Sequence, residues 1–117
     1  MSTHKVSSRW AGGSLRSLTT KGTTGAGESF DMRAGFQNFS IQCDITSSTA
    51  AKVILEGSLD GTNFKPVGST NGWRFSAQGD HGVVSVASTQ PLQHVRLRVV
   101  SISSGSGKYV DGRIGVA

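Results

Sequence analysis

The sequence predicts an all-β protein, an antiparallel β-sandwich or jelly roll of about eight strands with an extended N-terminal arm. Three observations predict it. Apolar and polar residues alternate at period two through most segments after Glu28. Clusters of Gly, Asn, Asp and Ser separate those segments roughly every 8–12 residues. No stretch carries the apolar spacing of an amphipathic helix, and a chain with 16 glycines in 117 residues and only 16% charged residues favours short strands joined by turns. That length suits one domain with a single core.

Residues 1–27, MSTHKVSSRWAGGSLRSLTTKGTTGAG, hold ten Ser or Thr and five Gly, with Val6, Trp10, Leu15 and Leu18 at no strand or helix period. Such a segment buries too little apolar surface to offset its ordering entropy, so it reads as an arm held by a partner, and residues 28–117 read as the sandwich. ESFDMR is a short strand. QNFSIQCDIT places Phe39, Ile41, Cys43 and Ile45 inward against Ser40, Gln42, Asp44 and Thr46. AKVILEGSL sets Val53, Leu55 and Leu59 on one face, with Lys52, Glu56 and Ser58 on the other. NFKPVGS is its hairpin partner across Asp60-Gly61, with Pro66 marking an edge or a bulge. WRFSA, GVVSVAS, QHVRLRVVSIS and KYVDGRIGVA complete the set, with Val84 and Val86, then Val95, Leu97 and Val99, facing inward.

The formal charge of +5 is unevenly placed. Lys5, Arg9, Arg16 and Lys21 lie in the first 27 residues, which hold no acid, while residues 28–117 carry eight basic against seven acidic residues. A nearly neutral sandwich is a weak nucleic-acid platform, so direct nucleic-acid binding is not expected. No apolar run approaches the ~18 residues of a membrane span, and the N-terminus lacks the apolar stretch of a signal peptide. The expectation is a protein without membrane insertion, assembled in the cytoplasm.

Catalysis finds little support. Of the possible bases, His4 lies in the arm and His94 on the polar phase of a strand; His81 follows a Gly-Asp turn signal. Cys43 sits on an inward face as a small apolar residue, and a lone cysteine makes no disulfide or cysteine zinc site. Asp60, Asp80 and Asp111 stand beside glycines or in turn signals, which local hydrogen bonding explains without a ligand. The glycine-rich stretches AGG, KGTTGAG and GSGKYV lack the strand-then-helix context of a phosphate loop. No catalytic residue, metal or cofactor is therefore expected. Arg96 and Arg98 project from one strand face and suggest a subunit contact or a meeting with an acidic patch.

VILEGSLDGTNFKPVG resembles a hairpin of small β-sandwich proteins in tailed-bacteriophage virions. A looser likeness is to the S-x-D-G-x-x-W hairpin of discoidin-like sandwiches, matched by Ser58, Asp60, Gly61 and Phe64, with Phe in place of Trp. VRLRVV resembles the late core strand of both groups. The phage resemblance implies a non-enzymatic virion protein, a capsid decoration or cement protein on the capsid surface, whose partner is the major capsid protein or another virion protein and which forms a homotrimer or other cyclic oligomer. On that reading the arm makes the attachment through Lys5, Arg9, Trp10, Leu15, Arg16, Leu18 and Lys21. The alternatives are a carbohydrate- or receptor-binding sandwich using Trp73, Asn71 and Asp60, and a tail or head–tail component.

Overall fold

A computed structural model describes residues 15–46, 49–68, 70–76, 82–103, 105 and 107–116, together with the backbone of residues 3–5. Eight strands are present: β1 (Thr3–Lys5), β2 (Leu15–Lys21), β3 (Gly25–Ile45), β4 (Ala50–Ser58), β5 (Lys65–Val67), β6 (Trp73–Ser76), β7 (Val83–Ile102) and β8 (Val110–Val116). There is no helix among the described residues.

The two long strands build both layers of the sandwich. The first part of β3 pairs antiparallel with the last part of β7, Gly25 opposite Val99 and Asp31 opposite His94. The second part of β3 pairs with the first part of β7, Asn38 opposite Ala87 and Gln42 opposite Val83. Register breaks between Asp31 and Asn38 mark the bend, where Arg33 has a φ of 60°. Asp31 Oδ1 fixes that bend by accepting from Gln93 Nε2 and Arg33 N, both at 2.9 Å. These bonds, from Gln93 first and then from the Arg33 amide, hold its carboxyl below the usual carboxylate range.

The first layer is extended on the β7 side by β4, which carries β5 and β6 on its far edge, and on the β3 side by the parallel β1. The second layer adds β8 to β3, and then β2 to β8. Val53, Leu55, Val95, Leu97 and Val99 of the first layer and Ile41, Val110 and Ile114 of the second are at most 1% exposed and form one core. The layers approach closely at Gly112, where a Cβ would lie 2.7 Å from Leu97 Cδ1 and 3.0 Å from Leu18 Cδ1. The alternation expected for residues 39–44 holds, with Phe39, Ile41 and Cys43 buried and Ser40, Gln42 and Asp44 exposed.

Two expectations are corrected. The sandwich does not begin at Glu28: residues 15–21 form β2, bonded to β8, and Gly25–Gly27 already belong to β3. Leu18 is 0% exposed in the domain's own core. Register shifts in β2 between Arg16 and Leu18 and between Leu18 and Lys21 explain why no period was visible, since they turn the adjacent Ser17 and Leu18 both inward. Ser17 Oγ then donates to the Glu28 carbonyl at 2.7 Å and accepts from Leu97 N at 2.9 Å, satisfying the buried hydroxyl. Leu59 is 68% exposed rather than in the core, because β4 ends at Ser58. Phe64, in the loop that follows, is half-buried on the outer face of the first layer against Arg96.

Candidate functional site

The connection from β4 to β5 is held by its own side chains. Ser58 Oγ accepts from Asp60 N at 3.2 Å and Gly61 N at 3.0 Å, and donates to Asp60 Oδ1 at 2.8 Å. Asp60 Oδ1 also accepts from Thr62 N at 2.8 Å and Asn63 N at 2.9 Å, while Oδ2 accepts from Asn63 Nδ2 at 2.9 Å. Gly61 supplies the left-handed φ of 78° that closes the loop. The Asn63 amide first, then the Thr62 amide and the Asn63 and Ser58 side chains, hold the Asp60 carboxyl well below the usual range. Asp60 is thus the internal cap of this loop.

That loop folds back over the outer face of the first layer. Gly61 lies on the His94 ring, where a Cβ would be 3.0 Å from Cε1, and the Arg96 guanidinium sits 3.9 Å from the centre of the Phe64 ring. Below them Glu56, opposite Arg96 across the β4–β7 pair, accepts on Oε1 from Arg96 Nε at 2.7 Å and from Arg98 Nε at 3.1 Å. The Glu56 and Arg96 side chains are 8% and 14% exposed, and that of Arg98 38%. The expected face of Arg96 and Arg98 exists, then, but Arg96 is locked under the loop. His94 Nδ1, on the same face, is buried with no hydrogen-bond partner among the described residues. Further along the face, Lys52 stands directly opposite Arg74 on β6, and Val100 is 44% exposed. Nothing in the sequence near Lys52 or Arg74 marks them as a pair; only the β4–β6 register brings them together.

A cleft of about 620 Å³ opens between the layers at one side, between β5 with its preceding loop and residues 87–92 of β7. Val67 and Leu92 contribute apolar wall, and Leu59, Asp60, Lys65 and Gln90 stand around it. The chain's two prolines lie on its flanking strands, Pro66 in β5 and Pro91 in β7. Proline and a lysine on an edge strand oppose pairing with another strand, so the cleft is suited to contacts through side chains.

The residues proposed for glycan contact are not gathered there. Asp60 borders the cleft, but Trp73 packs against the core opposite Val53, and Asn71 is exposed before it. Val53 and Ser58, the β4 residues nearest Trp73 and Asp60, are about 16 Å apart at ~3.3 Å per residue.

Of the residues expected in a partner-binding arm, those described serve the fold. Leu15 packs against the core that holds Leu18. Arg16 donates to Asp111 Oδ1 at 2.6 Å, which also accepts from Thr20 N at 2.8 Å. Partial burial opposes ionisation of Asp111, but the bonds from Thr20 and Arg16 outweigh it and lower its pKa. Lys21 is half-buried at the end of β2. The side chain of Lys5 and residues Arg9 and Trp10, like His81 and Asp80, lie outside the described residues. Cys43 is buried, and that burial, with Asp44 beside it, pushes its thiol up to about 12, far from a reactive thiolate. No group of three His, Cys, Asp or Glu side chains among the described residues is placed to hold a metal ion.

No protein-family model matches the chain, and comparison with curated proteins gives no match. Among solved structures the chain is similar to the SPBc2 prophage-derived protein YomS, with a TM-score of 0.55 and 14% identity, over 90% of this chain and 92% of that one. It is also similar to a pectin binding carbohydrate binding module, with a TM-score of 0.46 and 16% identity over 70% of this chain, and it spans 57% of that protein. CpGH89CBM32-6 produced by Clostridium perfringens gives a TM-score of 0.45 and 17% identity over 72% of this chain and 61% of that one. The likeness to YomS is one of fold and extends over nearly the whole of both chains.

Proposed function

We propose that this protein is a non-enzymatic structural component of a phage-derived particle, a decoration or cement protein that attaches to a capsid protein or another particle protein. The observation that carries this reading is the fold shared with a prophage-derived protein over 90% of one chain and 92% of the other. The hairpin around Ser58-Leu59-Asp60-Gly61, resembling that of virion sandwiches, supports it from the sequence side. The described polar groups also support it, since Asp31, Ser17, Asp60 and Asp111 each hold a bend, a strand or a loop in place. With residues 15–21 absorbed into the sheet as β2, attachment falls to the sandwich surface together with Lys5, Arg9 and Trp10, and a cyclic homo-oligomer would multiply weak contacts on a symmetric shell.

The test is to purify particles from cells carrying the gene and quantify the protein in them by mass spectrometry. A fixed stoichiometry to the major shell protein is expected, and head and tail subassemblies separated from the same particles tell a decoration protein from a tail component. Particles that lack the protein while the soluble fraction contains it would overturn the reading.

The cleft favours a second reading, a ligand-binding sandwich that takes a carbohydrate or another small molecule. Its test is a glycan array with Leu92→Arg, which fills the cleft, beside Trp73→Ala. Binding lost in the first variant and kept in the second would place the ligand in the cleft rather than at Trp73.

A further inference from the structure

We propose that the open edge of the second layer, residues 83–87 of β7, is where two copies of this chain join, strand to strand about a two-fold axis at Ser85. The inference goes beyond the structural-protein reading and does not depend on it.

The last part of β7 is paired on both sides, with β3 and, from His94 onward, with β4. Residues 83–87 pair with β3 alone, from Val83 opposite Gln42 to Ala87 opposite Asn38, so among the described residues their other edge is open. Alternate residues along such an edge direct N–H and C=O groups outward. The other outer strands are blunted in the ways that oppose strand addition. β1 and β5 have three residues each, β5 with Lys65 and Pro66; β6 has four, with Arg74 among them; β2 carries Arg16, Lys21 and two register breaks. Residues 83–87, VVSVA, have no charge, proline, glycine or bulge, and three of them are valines, which suit a strand.

The segment is complementary to itself. With Ser85 opposite Ser85 of the second copy, Val84 faces Val86 and Val83 faces Ala87 in an antiparallel pair. Opposite residues share a face of the sheet, so Val84 and Val86, which pack on the core, meet their counterparts, and each second layer continues into the other. A register one residue off would set an inward valine opposite an outward residue. On the outer face the neighbours across β3 are Asn38, Ser40 and Gln42, and Val83 is 64% exposed among them. Ala87 of the second copy covers that valine. Beyond the segment Ser88 Oγ donates to Gln90 O at 2.7 Å and accepts from Gln90 N at 3.2 Å, which bounds the edge and centres it on Ser85. Charge also favours a second copy here: two chains that each carry 12 basic against 7 acidic residues meet at an uncharged strand with no like charges opposite each other.

Ser85 is exposed, so substitutions there change the edge and not the core. Sedimentation equilibrium of the full chain up to about 0.2 mM should show a discrete dimer. Ser85→Lys, which sets like charges opposite each other, should weaken that dimer at least about tenfold. Mixing it with Ser85→Asp should restore a one-to-one dimer. Mild oxidation should link Ser85→Cys chains in pairs, because opposite Cα atoms lie about 5 Å apart, within disulfide reach. Ser40→Cys, exposed one strand further in, should not link, and Cys43 is buried in both variants. A wild-type chain that stays monomeric, a dimer that Ser85→Lys leaves intact, or open-ended oligomers would each overturn the proposal, as would equal linking of the Ser40→Cys chain. Amide protection of residues 83–87 gained only in particles would give the edge to another protein's strand and overturn it too.

Discussion

Arg96 donates from Nε to Glu56 Oε1 at 2.7 Å, from the position directly opposite on the neighbouring strand, and both side chains are buried on what would ordinarily be the wet face of a sheet. Removing the acid takes away the carboxylate that both Arg96 and Arg98 engage. Glu56→Ala is expected to destabilise the protein by about 3 kcal/mol in urea denaturation, the range for breaking a buried pair. Adding Arg96→Met should return part of that loss. A Glu56→Ala variant as stable as wild type would mean that the pair contributes only shape.

β2 and β3 come close at Gly27, where a Cβ would collide with the Ser17 carbonyl oxygen. Gly27→Ala is expected to cost about 1–3 kcal/mol and to loosen β2 selectively, read as faster amide exchange in residues 15–21 than in β8. Unchanged exchange in β2 would contradict the close approach.

Leu18→Ala should cost about 2–4 kcal/mol, as for any fully buried leucine. Deleting residues 1–21 should lower the melting temperature markedly, whereas a dispensable arm would leave it unchanged. A calorimetric scan of both proteins decides between a strand of the sandwich and an appendage.

The Asp60 carboxyl, lowered chiefly by the Asn63 and Thr62 amides, has a folded pKa below its ordinary 3.8. Its contribution to stability is therefore complete above that ordinary value and is lost as the pH falls from there through the folded pKa. Asp60→Asn should differ most from wild type in urea midpoint near pH 6, and the difference should shrink below pH 3.8. A gap that stays constant down to pH 2 would assign the effect to loop shape rather than charge.

Cys43, buried and with its thiol pushed up to about 12, should resist a thiol reagent in the native protein at pH 8 and react within minutes in denaturant. Rapid native labelling would mean that the second layer opens readily.

Much of the fold was legible because strand alternation is a local signal. Phe39, Ile41 and Cys43 announce their faces within a few residues of one another, as do Val95, Leu97 and Val99. Asp60-Gly61 was legible as a turn for the same reason. What could not be read depended on register. Ser17 and Leu18 are both buried because β2 is bulged against β8, and that breaks the alternation on which a reader relies. ESFDMR and QNFSIQCDIT, two strands by pattern, are one bent strand pinned at Asp31 and Arg33. Lys52 and Arg74 are 22 positions apart in sequence, and nothing local to either indicates the other. The burial of Glu56 likewise needed a loop to fold back across its own strand.

The path of β3 and β7 through both layers sets how the molecule comes together in time. Gly25 must find Val99 and Gln42 must find Val83 before either layer is complete, so most of the chain has to close as a loop before its core rewards it. Folding should be slow for a protein of this length. Because neither layer can peel from the other without unpairing the two strands they share, unfolding should be all-or-none and slower still. A part of that kind is durable once made, which suits a component placed in a particle and not exchanged afterwards.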